Sequence, residues 1–157
     1  MPEITPERWG QLYDRAFPQV YRALVAATFD RERALDGLHD AFEEGLRHPP
    51  AHDGNLEGWL YRVALRKTRR GLFRTRREGP PVEGSSGDDV AAVIQRLEVG
   101  RLLAMLTERQ RAIVVAHYYL GLTQDEIAGA LGIRRGTVSA TVSQSLAHMR
   151  EEGIARG

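Results

Sequence analysis

Residues 122–149 read LTQDEIAGALGIRRGTVSATVSQSLAHM, two short apolar-periodic segments that meet at a single glycine, Gly132. Thr123 with Glu126 three residues later fits a capping box, in which a hydroxyl and a carboxylate satisfy orphan backbone amides reciprocally, so a helix is predicted to open there. Gly132 suits the left-handed backbone of a helix stop. A second, longer helix follows, with Val138, Val142, Leu146 and Met149 on one face. Its opposite face carries Gly136, Thr137, Ala140, Ser143, Gln144 and His148, small or hydrogen-bonding groups suited to base edges in a major groove. Arg134 and Arg135 stand at its start, where they reach phosphates or a guanine. Two helices about a glycine turn have the form of a helix-turn-helix. An antiparallel helix pair in an all-helical core has the same periodicity, so the rest of the chain must decide.

Upstream, Thr107 with Gln110 forms a second capping-box pattern, and Val93, Ile94, Leu97, Leu102, Leu103 and Leu106 predict an amphipathic helix over 90–106. Residues 78–89, EGPPVEGSSGDD, hold one large apolar residue, Val82, and are dense in Gly, Pro and Ser, the composition of a flexible linker. Before it, Thr5 and Pro6 make a helix start. Trp9, Leu12, Tyr13, Ala16, Val20 and Leu24 continue at helical spacing, and Pro18 predicts a kink. Leu35, Leu38, Phe42 and Leu46 place a second helix over 31–46, HPPAHDGN is a loop over 48–55, and Leu56, Trp59, Leu60, Val63, Ala64 and Leu65 start a third helix. No alternating strand pattern of useful length occurs, nor a repeat at a solenoid period. The fold class is therefore all-α: two small helical domains, 1–77 and 90–157, joined by the linker 78–89.

The chain has 157 residues, 42% of them apolar, which is enough to fill compact cores. It has no cysteine, which removes disulfides and thiolate metal sites. No apolar run approaches the roughly 20 residues of a membrane helix, and the N-terminal stretch does not have the form of a leader, so a cytoplasmic address is expected. The formal net charge of +1 conceals a segregation of sign. Residues 30–57 carry eight acids against three arginines, whereas 66–77, RKTRRGLFRTRR, has seven basic residues and no acid. Such a run is often only a solvated helix face. Its density suits phosphate neutralisation, in which each cation releases condensed counterions.

The segment LTERQRAIVVAHYYLGLTQDEIAGALGIRRGTVSATVSQSLAHMR resembles region four of bacterial sigma factors. The likeness rests on its Leu-Thr-x-x-Gln-Arg opening, its Tyr-Tyr-x-Gly-Leu-Thr bend, Glu126-Ile127-Ala128 and Gly136-Thr137-Val138. WLYRVA at 59–64 followed by the basic run resembles region two, as do Leu12-Tyr13 with Pro18 and the stretch 34–42. Taken together, the chain resembles a small sigma factor of the extracytoplasmic-function type over nearly all its length. The resemblance implies a transcription initiation factor without catalysis or cofactor, whose partners are core RNA polymerase, promoter DNA and an anti-sigma protein. It implies DNA contacts by Arg66, Lys67, Arg69, Arg70, Arg74, Arg76 and Arg77 in the first domain, and by Arg134, Arg135, Thr137, Ser139, Ala140, Thr141 and Gln144 in the second. Polymerase docking falls to Asp36, Asp40 and Glu43.

Several positions depart from the family's pattern. Its Ala-Glu-Asp-Leu-Val-Gln-Glu-x-Phe is Ala34-Leu35-Asp36-Gly37-Leu38-His39-Asp40-Ala41-Phe42 here, keeping Asp36, Asp40 and Phe42. Where the family stacks a flipped promoter base on a loop aromatic, this loop offers His48, Pro49, Pro50 and His52. The asparagine that follows the family's Trp-Leu-x-x-Ile-Ala-x falls at Arg66. In the recognition helix three basic positions are neutral, among them Ser139, Thr141 and Gln144, which removes roughly three units of log–log salt slope. Arg134 replaces a capping serine.

Two other readings use the same residues. A divergent sigma-like regulator binds polymerase or DNA without opening promoters, and a protein-interaction module uses the acidic helix and exposed faces with no need of 66–77. An enzyme is disfavoured. His39, His48, His52, His117 and His148 are scattered, and Asp36 with Asp40 lacks a glycine-rich phosphate loop or an activated nucleophile. Trp59 is assigned to the first domain's core, and Tyr118 and Tyr119 to the packing beneath the helix-turn-helix.

Overall fold

Thr5 does what its place before Pro6 predicts. In the structure, a computed structural model describing residues 4–51, 54–74 and 98–156, its hydroxyl accepts from the Arg8 N–H at 3.2 Å and opens helix α1, Pro6–Thr28. Pro18 does not end α1, and it lies on the exposed side. The helix stops at Phe29, whose left-handed backbone (φ 52°) brings its N–H to the Val25 carbonyl. Without glycine's freedom that conformation costs about 1–2 kcal/mol. Packing of the Phe29 ring against Leu103, Leu106 and Val114 opposes the cost.

Asp30 caps α2, Arg31–Arg47, by accepting from the Arg33 N–H. Helix α3 spans Leu56–Arg74, and the second half holds α4, Glu98–Leu103, α5, Glu108–Tyr118, α6, Gln124–Leu131, and α7, Arg135–Arg156. Among the described residues there is no strand. The expected linker at 78–89 and the residues 90–97 of the expected amphipathic helix lie outside the described residues.

In the first half, α1, α2 and α3 pack on one another around Trp9, Leu12, Val20, Leu24, Leu38 and Leu60. Trp59 stands edge-on to Trp9 at 5.5 Å between ring centres, and Tyr13 lies 4.7 Å from Phe42, so the tryptophan takes the core position expected of it. Gly45 is where α2 passes closest to α1, over the Trp9 ring.

The two halves do not stand apart. One apolar cluster runs from Leu56, Leu60 and Tyr61 of α3 to Ala112, Ile113, Leu120, Leu122 and Ile127, with α1 against α5 and α3 against α6. The smaller cluster around Phe29 also joins the halves.

Candidate nucleic-acid interface

The helix-turn-helix is built by the residues its sequence singles out. The Thr107 hydroxyl accepts from the Gln110 N–H at 3.1 Å while the Gln110 side chain accepts from the Thr107 N–H at 2.9 Å. Thr123 and Glu126 repeat the exchange at 3.1 Å in both directions. Both capping boxes are thus complete, and they set where α5 and α6 begin. Gly132 ends α6 with φ 67°, and the Ile133 N–H reaches back to the Ala128 carbonyl at 3.0 Å. Six-to-one closure of this kind needs a left-handed residue, so glycine stands at the turn.

Helix α7 buries Val138, Val142 and Ser145 and leaves Arg134, Arg135, Gly136, Thr137, Ser139, Ala140, Ser143, Gln144 and His148 exposed. Thr141 is half-buried on the flank of the apolar stripe. Two arginines at a helix N-terminus oppose the helix dipole, which favours anions there. The pair is tolerated because both side chains reach water, and Arg135 lies 3.8 Å from Asp125 at the start of α6. The exposed face therefore presents cations at one end and uncharged hydrogen-bonding groups along its length, the arrangement that separates phosphate positioning from base reading.

The first half contributes two faces. On α2, Asp36 is exposed while Asp40 and Glu43 are half-buried, and Glu43 faces His39 at 3.2 Å and Arg47 at 3.9 Å. On α3, Arg66 and Lys67 are exposed and line an open pocket of about 170 Å³ with Val63 and Glu44. Arg69, Arg70 and Arg74 lie on the same helix. Arg76 and Arg77, like His52, lie outside the described residues. His48 is exposed at the end of α2.

One expectation is corrected. Tyr118 and Tyr119 are 57% and 44% exposed and do not pack beneath the helix-turn-helix. The chain leaves α5 through a turn at Gly121 (φ 67°), and Leu120 and Leu122 on either side of it fill the buried positions. Tyr118 lies edge-on to His117 at 4.7 Å instead.

A set of residues that no motif singles out joins the halves. The buried Tyr61 hydroxyl donates to the Ala112 carbonyl at 2.8 Å, and Asn55 Nδ2 donates to the Leu120 carbonyl at 3.2 Å. Arg33 Nη1 meets Glu108 at 2.5 Å, Arg62 Nη1 meets Glu126 at 3.4 Å, and Arg111 Nε donates to the Ala27 carbonyl at 2.9 Å. Burial pushes the Arg111 guanidinium downward in pKa, with Glu108 opposing and Arg33 adding to the shift; its position 4.2 Å over the Phe29 ring supplies a cation–π contact. Burial pushes the Tyr61 phenol far above the usual tyrosine range. Gly58 was the one legible signal. A glycine inside a helix is costly and marks a close approach, and a β-carbon there would fall 2.6 Å from Leu122 Cδ2.

Residues 96–149 match the family described as Sigma-70, region 4. The chain is 29% identical over 161 residues to the ECF RNA polymerase sigma factor SigL of Mycobacterium tuberculosis, covering 92% of this chain and 90% of that one. It is 26% identical over 154 residues to the ECF RNA polymerase sigma factor RpoE of Cereibacter sphaeroides, covering 91% and 84% respectively. Its fold is similar to that of the sigma factor RpoE solved in complex with the anti-sigma factor NepR from Bartonella quintana, with a TM-score of 0.65, 17% identity, and 90% and 94% of the two chains covered.

Proposed function

This chain is a sigma factor of the extracytoplasmic-function type, and we propose that it acts as a transcription initiation factor, binding core RNA polymerase and directing it to specific promoters. The observation that carries this reading is the outward face of α7. Seven residues of the helix-turn-helix named from sequence as DNA contacts are Arg134, Arg135, Thr137, Ser139, Ala140, Thr141 and Gln144, and all but Thr141 are exposed within the segment that matches region 4.

In this account the chain makes and breaks no covalent bond. Residues 90–157 read an upstream promoter element, Arg134 and Arg135 setting register on phosphates while Thr137, Ser139, Ala140 and Gln144 meet base edges. Residues 1–77 dock on polymerase through Asp36, Asp40 and Glu43. The run from Arg66 and Lys67 through Arg69, Arg70, Arg74, Arg76 and Arg77 then holds melted DNA, neutralising the backbone while bases stack. Neither half need bind tightly, since polymerase tethers both and raises their effective concentration on one promoter. Core polymerase and promoter DNA are the partners, with an anti-sigma protein as a third, and the site of action is the cytoplasm.

The docking role is tested by co-purification with core RNA polymerase. The wild-type chain is expected to co-elute with the enzyme, whereas Asp36→Arg with Asp40→Arg lowers retention at least tenfold while leaving the circular dichroism spectrum unchanged. Equal retention of both chains removes α2 from the docking surface, and absence of wild-type retention removes the initiation-factor reading itself.

A further inference from the structure

The surface of α3 that faces the second half is its N-terminal end, and this end adjoins the basic segment assigned above to melted DNA. Asn55 has its amide engaged by the Leu120 carbonyl. Leu122 sits directly over Gly58, Tyr61 is fully buried against α5, and the Arg62 charge is met by Glu126. Glu126 serves twice, since its Oε1 completes the capping box of α6 and its Oε2 faces Arg62. One short segment, residues 120–126, thereby covers one face of α3 over two turns.

We propose that the free chain is closed on itself: the 120–126 segment of the helix-turn-helix half lies as a cover over Asn55, Gly58, Tyr61 and Arg62 and keeps the strand-holding end of α3 shut until the halves separate. This rests on the reading of α3 as the helix that holds melted DNA. A single strand binds through stacked bases and a cationic track, and here the track begins at an arginine already neutralised and a face already occupied by Leu122.

The interface has the composition of one that opens. Beside its apolar contacts it carries Tyr61, Asn55, Arg33, Arg62 and Arg111, each in a polar contact with the other half. Water or phosphate can satisfy these groups once the halves part, so opening leaves no donor stranded. Arg62 and Glu126 are both about one-third exposed, which makes their pairing sensitive to salt. Meanwhile Asp36 and His39 on the outer side of α2 stay exposed in the closed form. Polymerase can therefore dock on α2 before the halves separate.

A reversible lock tests this. The chain has no cysteine, and positions 58 and 122 face each other closely enough for Gly58→Cys with Leu122→Cys to form a disulfide on oxidation. With core polymerase and promoter fragments of the source organism, the oxidised chain is expected to bind polymerase as the reduced chain does and yield at least tenfold less transcript, with recovery on reduction. Transcription by the oxidised chain within twofold of the reduced one overturns the closure. Loss of polymerase binding on oxidation overturns the order of events, docking first and opening second. Should the double variant fail to fold, Glu126→Gln decides, because glutamine keeps the cap and removes the charge facing Arg62. It is expected to raise the affinity of the free chain for a fluorescein-labelled mixed-sequence single strand at least threefold in low salt, and unchanged affinity contradicts the cover. If no form of the chain binds polymerase, the initiation-factor reading fails, and the Glu126→Gln comparison still decides on closure.

Discussion

Gly45→Ala adds one methyl group to the middle of α2, at a point where helix propensity alone favours alanine by up to about 1 kcal/mol. The new carbon would fall 1.9 Å from Cζ2 of Trp9, 2.3 Å from Cε2 and 2.5 Å from Cη2. Carbon atoms rest about 3.5–4.0 Å apart, so the ring or the helix must retreat by roughly 1.5–2 Å. Trp9 has nowhere to go: it is 1% exposed, edge-on to Trp59 at 5.5 Å and stacked on Phe42 at 6.4 Å. Its indole N–H donates to the Phe42 carbonyl at 3.0 Å. Overpacking of this kind costs about 1–3 kcal/mol, and stranding the indole donor adds about 1–3 kcal/mol. After the propensity gain, the net loss is about 2–4 kcal/mol, a large fraction of the 5–15 kcal/mol typical of a folded domain. Urea unfolding followed by circular dichroism should show the midpoint falling by about 1–2 M with little change in slope. Gly10→Ala is the control, since nothing lies within 4 Å of its β-carbon position on α1, and it is expected to be neutral or stabilising. If Gly45→Ala behaves like Gly10→Ala, α2 does not lie on Trp9 as described.

Thr123→Ala removes the hydroxyl that accepts from the Glu126 N–H, costing about 1 kcal/mol and lowering the thermal midpoint by about 2–6 °C by circular dichroism. Alkaline unfolding should be governed in part by Tyr61, whose folded pKa is raised by burial. Its contribution is intact below the unfolded tyrosine value of about 10 and is lost as pH rises above it, by up to about 1.4 kcal/mol per pH unit. Urea midpoints between pH 8 and pH 11 should thus fall less steeply in Tyr61→Phe. A shallower decline persists from Tyr13, which is raised by burial and then by Asp14. Arg134→Ala with Arg135→Ala should make the log–log salt slope of duplex binding shallower by about two, measured by fluorescence anisotropy; an unchanged slope excludes both from phosphate contact.

The elements that depend on neighbours in sequence were legible. Thr123 with Glu126, Thr107 with Gln110, Thr5 with Pro6, and Gly132 act within three or four residues, and each sets a helix end where its chemistry predicts. The outward face of α7 followed from periodicity, because Val138 and Val142 fix which side is buried. The contact between the halves was not legible. Tyr61 and Ala112 are 51 positions apart and Arg33 and Glu108 are 75, and nothing local distinguishes those side chains from other core tyrosines or solvated charges. Tyr118 and Tyr119 were misplaced for a related reason. Their apolar bulk suits a core, but the turn at Gly121 decides which residues point inward, and it selects Leu120 and Leu122.

The central claim, that this chain selects promoters for polymerase, is tested most directly by reconstituting it with core RNA polymerase on fragments of the source organism's genome and mapping transcript 5′ ends. The account predicts a discrete set of start sites sharing an upstream element, present with the wild-type chain. They should be absent when Arg66, Arg69, Arg70 and Arg74 are all changed to Ala. A 5′-end profile identical to that of core polymerase alone, from a chain that remains bound to the enzyme, would contradict it.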